Sequence, residues 1–404
     1  MLKIKFLRKR LPVLSFLMIF IFTSCNDDDD NTVTVHEESL KRYELVRSLT
    51  SQEVEQLVVT TEQVFGGMSY GLTSYKPVKV YKVVYEQSSE YNGGVVEVSG
   101  LVTVPDDNEV LPVISYQHGT IFDPQQAPSL FNLDYKATVF GVILASQGFA
   151  VSLPDYEGYG VSENLKHPYE HAKSLALSSY EMLVAAKQLL EKENRQINNK
   201  LFLGGYSEGG GATMALHQYI ENNTHHVVTM SAPASGAYNK TAFTLEVDSK
   251  NENLTFLPNY MWVINSYNNL YKINRPWNAI VNDTDAQLLE NEANPMNYYM
   301  LPIQTNPQNL FKSTFLLGLK NGTDQAFLNA LKDNDTYNWT PKAPITLYYG
   351  TADDYVYPLN SITAKEAILN NGGTVTEVVY QGATHTTAFP LYTRDVLKLF
   401  ASLK

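Results

Sequence analysis

The chain has 404 residues, 44% of them apolar, which is enough for one large α/β domain with an insertion or for two domains. Its formal net charge is −12, and removal of the first 24 residues, which hold five basic residues and no acidic ones, would lower it to −17. So acidic a chain repels phosphate backbones, and we therefore expect no nucleic-acid partner.

The N-terminus has the layout of a secretory signal. A basic stretch, an apolar stretch too short for an ordinary membrane span and a small-residue end make up residues 1–24. Their junction with Cys25, the only cysteine, resembles the lipobox of a bacterial lipoprotein. The resemblance implies that Cys25 carries lipid and anchors the chain to a membrane without spanning it. An ordinary cleaved signal with an incidental cysteine is the alternative.

An acidic run follows the cysteine. Four consecutive aspartates in residues 25–32 predict a solvated tether. Such a run after a lipidated cysteine resembles the surface-export signal of Bacteroidota lipoproteins, so we expect an exported lipoprotein of the outer membrane, at the cell surface. With no second cysteine, the exported domain must be stable without disulfides.

The rest of the chain is predicted to form a helical segment, an α/β core and an insertion. Residues 33–76 are interpreted as helical, because residues 50–53 fit a capping box ahead of an apolar-periodic run. Short apolar strands alternate with amphipathic helices over 77–235 and 341–404, which predicts a mostly parallel sheet covered by helices on both faces. Residues 236–340 lose this alternation and are rich in Asn, Tyr and Pro, so we interpret them as a cap or lid over one end of the sheet.

A nucleophile elbow is predicted within residues 200–219, which read KLFLGGYSEGGGATMALHQY. Ser207 lies between Gly205 and Gly209, where a predicted strand gives way to a predicted helix. Small residues at these positions permit the sharp turn, and the helix N-terminus behind the serine favours developing negative charge. A tight turn with an idle serine is the alternative.

A serine hydroxyl is a poor nucleophile unless a base takes its proton, so an acid and a histidine are expected further along the chain. His385 follows a predicted strand in a small-residue loop, and we predict that it is the general base. Asp353 lies three residues beyond the strand end at Gly350, and we predict that it orients the imidazole. The adjacent Asp354 is the rival acid, and the spacing from the strand end favours Asp353.

The other histidines are weaker candidates. Two lie in the stretch KHPYEH and could approach the cleft: His167 and His171. Four are interpreted as surface or packing residues, or lie on the wrong side of the elbow helix: His36, His217, His225 and His226.

The second half of an oxyanion hole is expected after an earlier buried strand, at His118, Gly119 and Thr120. We predict that the backbone N–H of Glu208 and that of Thr120 (or Ile121) point at the substrate carbonyl oxygen as it becomes tetrahedral. Gly119 would let the backbone approach closely. A plain turn is the alternative.

From about residue 81 to 404 the chain resembles an α/β-hydrolase. The blocks SYQHGT, PDYEGYGVSE, GYSEGG and GTADDYV together resemble the secretory lipase family of fungal lipases and bacterial relatives. The resemblance implies a triad of Ser207, Asp353 and His385 and a cap over an acyl-binding site. Glu208 departs from the glutamine expected after the nucleophile in that family.

Further expectations concern the surroundings of the site. Asp155 is expected to brace a loop, while His118, Tyr156 and Tyr206 are candidates for the substrate pocket, with Tyr159 as a further possible border. The three tryptophans all lie in the insertion and are expected mostly in its own core: Trp262, Trp277 and Trp339. We expect no metal or other cofactor, because the sequence has no HExxH pattern, one cysteine and no P-loop lysine after its glycines.

The predicted function is that of a serine carboxylic ester hydrolase, an esterase or lipase, which forms an acyl-enzyme with a small-molecule, lipid or carbohydrate ester. A polysaccharide acetyl esterase is a variant of it. A serine peptidase of the prolyl-oligopeptidase type is a second class, disfavoured because the segment before the first predicted strand is too short for a propeller domain. A ligand-binding lipoprotein without catalysis is the third class, disfavoured because every triad residue is present.

Overall fold

The computed structural model describes residues 39–404. The predicted signal, Cys25, the acidic tether and His36 lie outside the described residues. None of the described helices combines the length and apolar character needed to cross a bilayer.

Within the described residues, nine strands form one sheet. They are β1 (Leu40–Leu49), β2 (Val78–Ser88), β3 (Val95–Pro105), β4 (Leu111–Gln117), β5 (Ala150–Pro154), β6 (Ile197–Tyr206), β7 (Met230–Ala234), β8 (Ile345–Gly350) and β9 (Val375–Tyr380). Their order across the sheet is β1-β2-β3-β5-β4-β6-β7-β8-β9. The first four in this order pair antiparallel, and all later neighbours pair parallel. The prediction of a mostly parallel α/β sheet is confirmed.

Helices cover both faces of this sheet, and the described residues form twelve helices in all. They are α1 (Ser51–Val64), α2 (Lys136–Ser146), α3 (Ala172–Lys192), α4 (Glu208–Asn223), α5 (Lys240–Ser249), α6 (Leu257–Leu270), α7 (Asp283–Asn291), α8 (Pro307–Leu310), α9 (Ser313–Lys320), α10 (Gln325–Asp333), α11 (Leu359–Asn370) and α12 (His385–Leu403). Short 3₁₀ turns occupy Pro124–Gln126, Pro128–Leu130, Gly160–Ser162, Trp277–Ala279 and Pro295–Met300. Residues of α1, α2 and α12 share one apolar core with the sheet, and residues of α3 and α4 share another. Burial on both faces explains why the central strands are almost continuously apolar.

Six helices, α5 to α10, lie between β7 and β8, in the segment expected to be a cap. They have an apolar core of their own, which includes Trp262 and Trp277. Trp339 instead packs edge-on against the ring of His217 on α4, 5.1 Å between ring centroids. Most of the tryptophans thus belong to the core of these helices, as expected.

The N-terminal prediction is partly wrong. Residues 40–49 form β1, which pairs antiparallel with β2 from Leu40 opposite Tyr85 to Leu49 opposite Val78. The strand conformation of residues 40–49 depends on pairing with β2, whose residues lie about 30 or more positions further along the chain. Local sequence does not reveal such a partner. Helix α1 is confirmed: the Thr50 side chain accepts from the backbone N–H of Glu53, and Glu53 accepts from the backbone N–H of Thr50.

Candidate active site

Ser207 lies on a strained turn between β6 and α4. Its φ of 63° and ψ of −126° place a non-glycine residue in a region that L-residues rarely adopt. The turn is held by the Ser207 N–H, which donates to the carbonyl oxygen of Ala234 at 2.9 Å. A side chain on Gly205 would meet the carbonyl oxygen of Gly209, and one on Gly209 would meet that of Gln117. Only glycine fits at these two positions, which is the physical reason for the sequence pattern.

The structure brings Ser207, His385 and Asp353 together. The Nε2 atom of His385 lies 2.9 Å from the Ser207 Oγ, and its Nδ1 lies 2.9 and 3.0 Å from the two carboxylate oxygens of Asp353. Since a carboxylate only accepts, Nδ1 carries the hydrogen and Nε2 is left to accept the serine proton. Asp353 is buried and also accepts from the backbone N–H groups of Tyr355 and Val356, at 3.1 and 2.9 Å. The rival Asp354 is exposed.

The three side chains come from the carboxyl ends of three parallel strands. Ser207 directly follows β6, Asp353 follows β8, and His385 follows β9 as the first residue of α12. Because carboxyl ends of parallel strands share one edge of a sheet, residues far apart in sequence meet there.

The loop after β4 lies against the nucleophile. A Cβ atom on Gly119 would lie 3.0 Å from the carbonyl oxygen of Tyr206 and 3.4 Å from the Cβ of Ser207, so this glycine permits a close approach. Within residues 39–404, the backbone N–H groups of Glu208 and Thr120 donate to no protein acceptor. An oxyanion hole requires donors that no protein acceptor occupies, and these two N–H groups meet that condition.

None of the three predicted pocket residues lines the apolar cavity described below. His118, Tyr156 and Tyr206 are buried, and their polar atoms are already engaged. A ring nitrogen of His118 lies 3.0 Å from the carbonyl oxygen of Asp155, and the Tyr156 hydroxyl donates to that of His118 at 3.1 Å. The Tyr206 hydroxyl donates to the carbonyl oxygen of His385 at 2.5 Å. Each of the three braces the backbone that carries the site, and their contact with a substrate stays a prediction.

Asp155 braces a loop, as predicted. Its carboxylate accepts from the Ser99 hydroxyl at 2.5 Å and from the backbone N–H of Ser129 at 2.8 Å. Burial raises the pKa of Asp155, and these hydrogen bonds oppose that rise by favouring the charged form. Tyr159, the further candidate border of the pocket, is buried as well and donates to the carbonyl oxygen of Ile121 at 3.1 Å.

An apolar cavity opens at Ser207 and extends among the helices between β7 and β8. It encloses about 900 Å³ of empty space, counting the part open to solvent. One face of α5 lines it, with residues spaced three and four apart: Lys240, Phe243, Thr244, Val247 and Asp248. Further lining residues are aromatic or aliphatic, among them Phe311, Phe315, Leu319, Phe327 and Leu331. A mostly apolar pocket of this size suits a small ligand.

The few charged groups in this cavity were not foreseen from the sequence. Lys240 Nζ lies 2.6 Å from Glu170 Oε2 in a nearly buried ion pair, and it also donates to the carbonyl oxygen of Ala237 at 2.9 Å. Asp248 is half-buried as a residue, but its Oδ2 atom is buried and has no protein partner. Burial raises the pKa of Asp248 from 3.8 to about 7. The helical spacing of Lys240, Thr244 and Asp248 was the available signal, because it places all three on one face of α5.

The stretch KHPYEH lies beside the elbow. The ring of His167 is buried, and its Nε2 lies 2.8 Å from the Oε1 of Glu208, the residue after the nucleophile. His171 pairs with the Ser174 hydroxyl at 2.8 Å, and burial lowers the pKa of His171 to about 4.

His217 is a packing residue, as predicted, and is held by Ser231 and Glu221. In the part of the chain that the structure describes, no group of three His, Cys, Asp or Glu side chains could hold a metal ion.

The family described as secretory lipase matches residues 131–391. No curated protein matches the chain.

Solved structures share the fold. A putative hydrolase from Legionella pneumophila superposes with a TM-score of 0.79 at 24% identity, over 90% of this chain and 98% of that one. The rice cell wall degrading esterase LipA from Xanthomonas oryzae gives a TM-score of 0.75 at 23% identity, over 89% and 96%. Candida antarctica lipase A gives a TM-score of 0.59 at 13% identity, over 87% and 78%.

Proposed function

The chain belongs to the secretory lipase family and is an ester hydrolase, and from this premise we propose that it works through an acyl-enzyme formed on Ser207. The observation that carries the proposal is the continuous hydrogen-bonded series from the Ser207 hydroxyl through His385 to Asp353. In this arrangement His385 is the general base and Asp353 holds its tautomer and stabilises the imidazolium.

The reaction proceeds in two halves. The Ser207 Oγ attacks the ester carbonyl carbon while its proton passes to Nε2 of His385, and the carbonyl oxygen becomes an oxyanion that accepts from the N–H groups of Glu208 and Thr120. The C–O bond to the alcohol then breaks, and the alcohol leaves with the proton from His385. Water, deprotonated by the same imidazole, attacks the acyl-enzyme, and collapse of the second tetrahedral species releases the acid and restores Ser207.

The cavity supports a substrate with an apolar acyl group. It touches Ser207, and its walls are mostly aromatic and aliphatic side chains of the helices between β7 and β8. Burial of an acyl chain there removes apolar surface from water, and an acetyl group has little apolar surface to bury. We therefore favour acyl groups longer than acetyl and place the polysaccharide acetyl esterase second. We also propose that residues 236–340 serve as the cap that holds this acyl group.

The family's secretory character agrees with export of the chain. The signal peptide of residues 1–24, the lipid on Cys25 and the location at the cell surface remain predictions. If the predicted lipid tethers the domain to a membrane surface, the cavity lies close to lipid esters.

The test is a series of initial rates with p-nitrophenyl esters from acetate to palmitate, together with acetylated xylan. We expect the highest kcat/KM at a medium or long acyl chain, and a loss of about 10⁴-fold or more in Ser207→Ala. Ser74→Ala is the matched control, because Ser74 is an exposed serine that is distant from Ser207 in sequence. Retained hydrolysis in Ser207→Ala would refute the acyl-enzyme, and highest activity on acetylated xylan would move the substrate to the acetyl esterase class.

A further inference from the structure

Glu208 occupies an unusual position for a carboxyl group. It directly follows the nucleophile, and its side chain is fully buried in the structure. Its Oε1 lies 2.8 Å from Nε2 of His167, while its Oε2 has no protein partner. A buried carboxylate this close to a developing oxyanion would oppose the reaction unless its charge were compensated and its position fixed.

His167 both compensates the charge of the Glu208 carboxylate and fixes its position. Its Nδ1 lies 2.7 Å from the carbonyl oxygen of Glu157, which can only accept, so Nδ1 carries a hydrogen. One further proton then lies between Nε2 of His167 and Oε1 of Glu208. Whichever of the two atoms holds it, the pair is hydrogen-bonded and carries no net charge, and Glu208 is held away from the Ser207 hydroxyl.

The same short loop also holds the other predicted oxyanion donor. The hydroxyl of Tyr169 lies 3.0 Å from Oγ1 of Thr120. The Tyr169 ring stacks on Trp262 of α6, with ring centroids 4.2 Å apart and planes 18° apart. Tyr169 therefore contacts the loop after β4 on one side and the helices over the cavity on the other.

Two residues of one loop thus contact Glu208 and Thr120, the two predicted donors of the oxyanion hole. We propose that His167 and Tyr169 are positioning residues of the oxyanion hole, His167 for Glu208 and Tyr169 for Thr120. The inference rests on the proposed function. It assigns to this loop the preorganisation of backbone donors on which stabilisation of a tetrahedral species depends. It also accounts for the glutamate after the nucleophile, since a histidine faces it here.

The test compares His167→Phe, Tyr169→Phe and Glu208→Gln with the unaltered chain. His167→Phe keeps a ring of similar size but leaves the Glu208 carboxyl unpaired, so kcat should fall about tenfold or more. KM should change less than about threefold, because substrate binding is not the step affected. Glu208→Gln can donate from its amide to Nε2 of His167, and its loss of kcat should be smaller than that of His167→Phe. Tyr169→Phe retains the stacking on Trp262 and should lower kcat by about threefold to tenfold.

Binding of an alkylboronic acid, which forms a tetrahedral adduct with the serine, separates positioning from folding. Its inhibition constant should rise in His167→Phe and Tyr169→Phe in proportion to the loss of kcat/KM. His171→Phe is the matched control, because this buried histidine of the same loop pairs with Ser174 and not with an oxyanion residue. It is expected to change thermal stability but neither kcat nor boronate binding.

An unchanged kcat and boronate affinity in both His167→Phe and Tyr169→Phe would overturn the inference. If His167→Phe does not fold, Tyr169→Phe alone decides the outcome. Failure of the proposed function is a different result, because it would appear as retained activity in Ser207→Ala. Loss of activity in Ser207→Ala with no effect of the loop variants refutes only the positioning role.

Discussion

Asp248 gives a prediction whose size follows from its environment. Its Oδ2 is buried in an apolar cavity without a partner, and burial raises its pKa from 3.8 to about 7. The folded state therefore keeps this proton up to about pH 7, whereas the unfolded chain releases it near pH 4. Because the unfolded state binds fewer protons between these values, the free energy of unfolding should fall as the pH rises through this window.

Replacement of Asp248 by Asn removes this dependence at nearly constant volume. At 1.36 kcal/mol per pH unit, a window of about three units corresponds to about 4 kcal/mol. The Asp248→Asn variant should thus be more stable than the unaltered chain by about 4 kcal/mol at pH 8 and by about 2 kcal/mol at pH 5. All other groups titrate alike in the two proteins and cancel in the difference.

Urea unfolding followed by tryptophan fluorescence at pH 5, 6.5 and 8 measures these free energies. Asp134→Asn, at an exposed aspartate, is the control and should change stability by less than about 0.5 kcal/mol at each pH. A stability difference between Asp248→Asn and the unaltered chain that does not grow with pH would refute the reasoning. So would a variant that is less stable at pH 8.

Three further predictions concern the acid, the cavity ion pair and the first helix. Asp353→Asn should lower kcat in steady-state assays by about 10⁴-fold, because the required tautomer of His385 is lost. Asp354→Asn is the control and should change kcat less than about twofold. Equal losses of kcat in the two variants would contradict the choice of Asp353 as the acid. Lys240→Met leaves the Glu170 carboxylate nearly buried and unpaired, and should cost about 3–5 kcal/mol in urea unfolding, much of it recovered by adding Glu170→Gln. A loss below about 1 kcal/mol would show that the ion pair is well solvated. Thr50→Ala removes the capping box of α1 and should lower the free energy of unfolding by about 1 kcal/mol, and no change would mean that packing alone holds the helix.

Local patterns sufficed to predict the sheet core and the three residues at its edge. The apolar runs of β4 to β9 and the periodic helices between them are short-range signals, and they determine the parallel arrangement. Ser207, Asp353 and His385 could be found because each stands just after a strand, and topology brings strand ends together.

Contacts between distant polar residues could not be predicted in the same way. Lys240 and Glu170 are 70 positions apart, and His167 and Glu208 are 41 positions apart. The sequence around each residue does not indicate which distant residue it contacts. The hydrogen bond of the Tyr206 hydroxyl to the carbonyl oxygen of His385 could not be predicted either, since proximity to Ser207 in sequence does not show which way the side chain turns. The strand β1 was missed because its pairing with β2 is a tertiary interaction.

The edge strand β1 has a consequence for the chain's behaviour at high concentration. One side of β1 pairs with β2, with two irregularities in its register, and no described strand pairs with the other. Two of its charged side chains form ion pairs at the surface, Lys41 with Glu86 and Arg42 with Glu97. A strand from another molecule that docked there would have to match a kinked backbone and disturb those charges. Edge-to-edge association of copies through this border of the sheet is thereby discouraged.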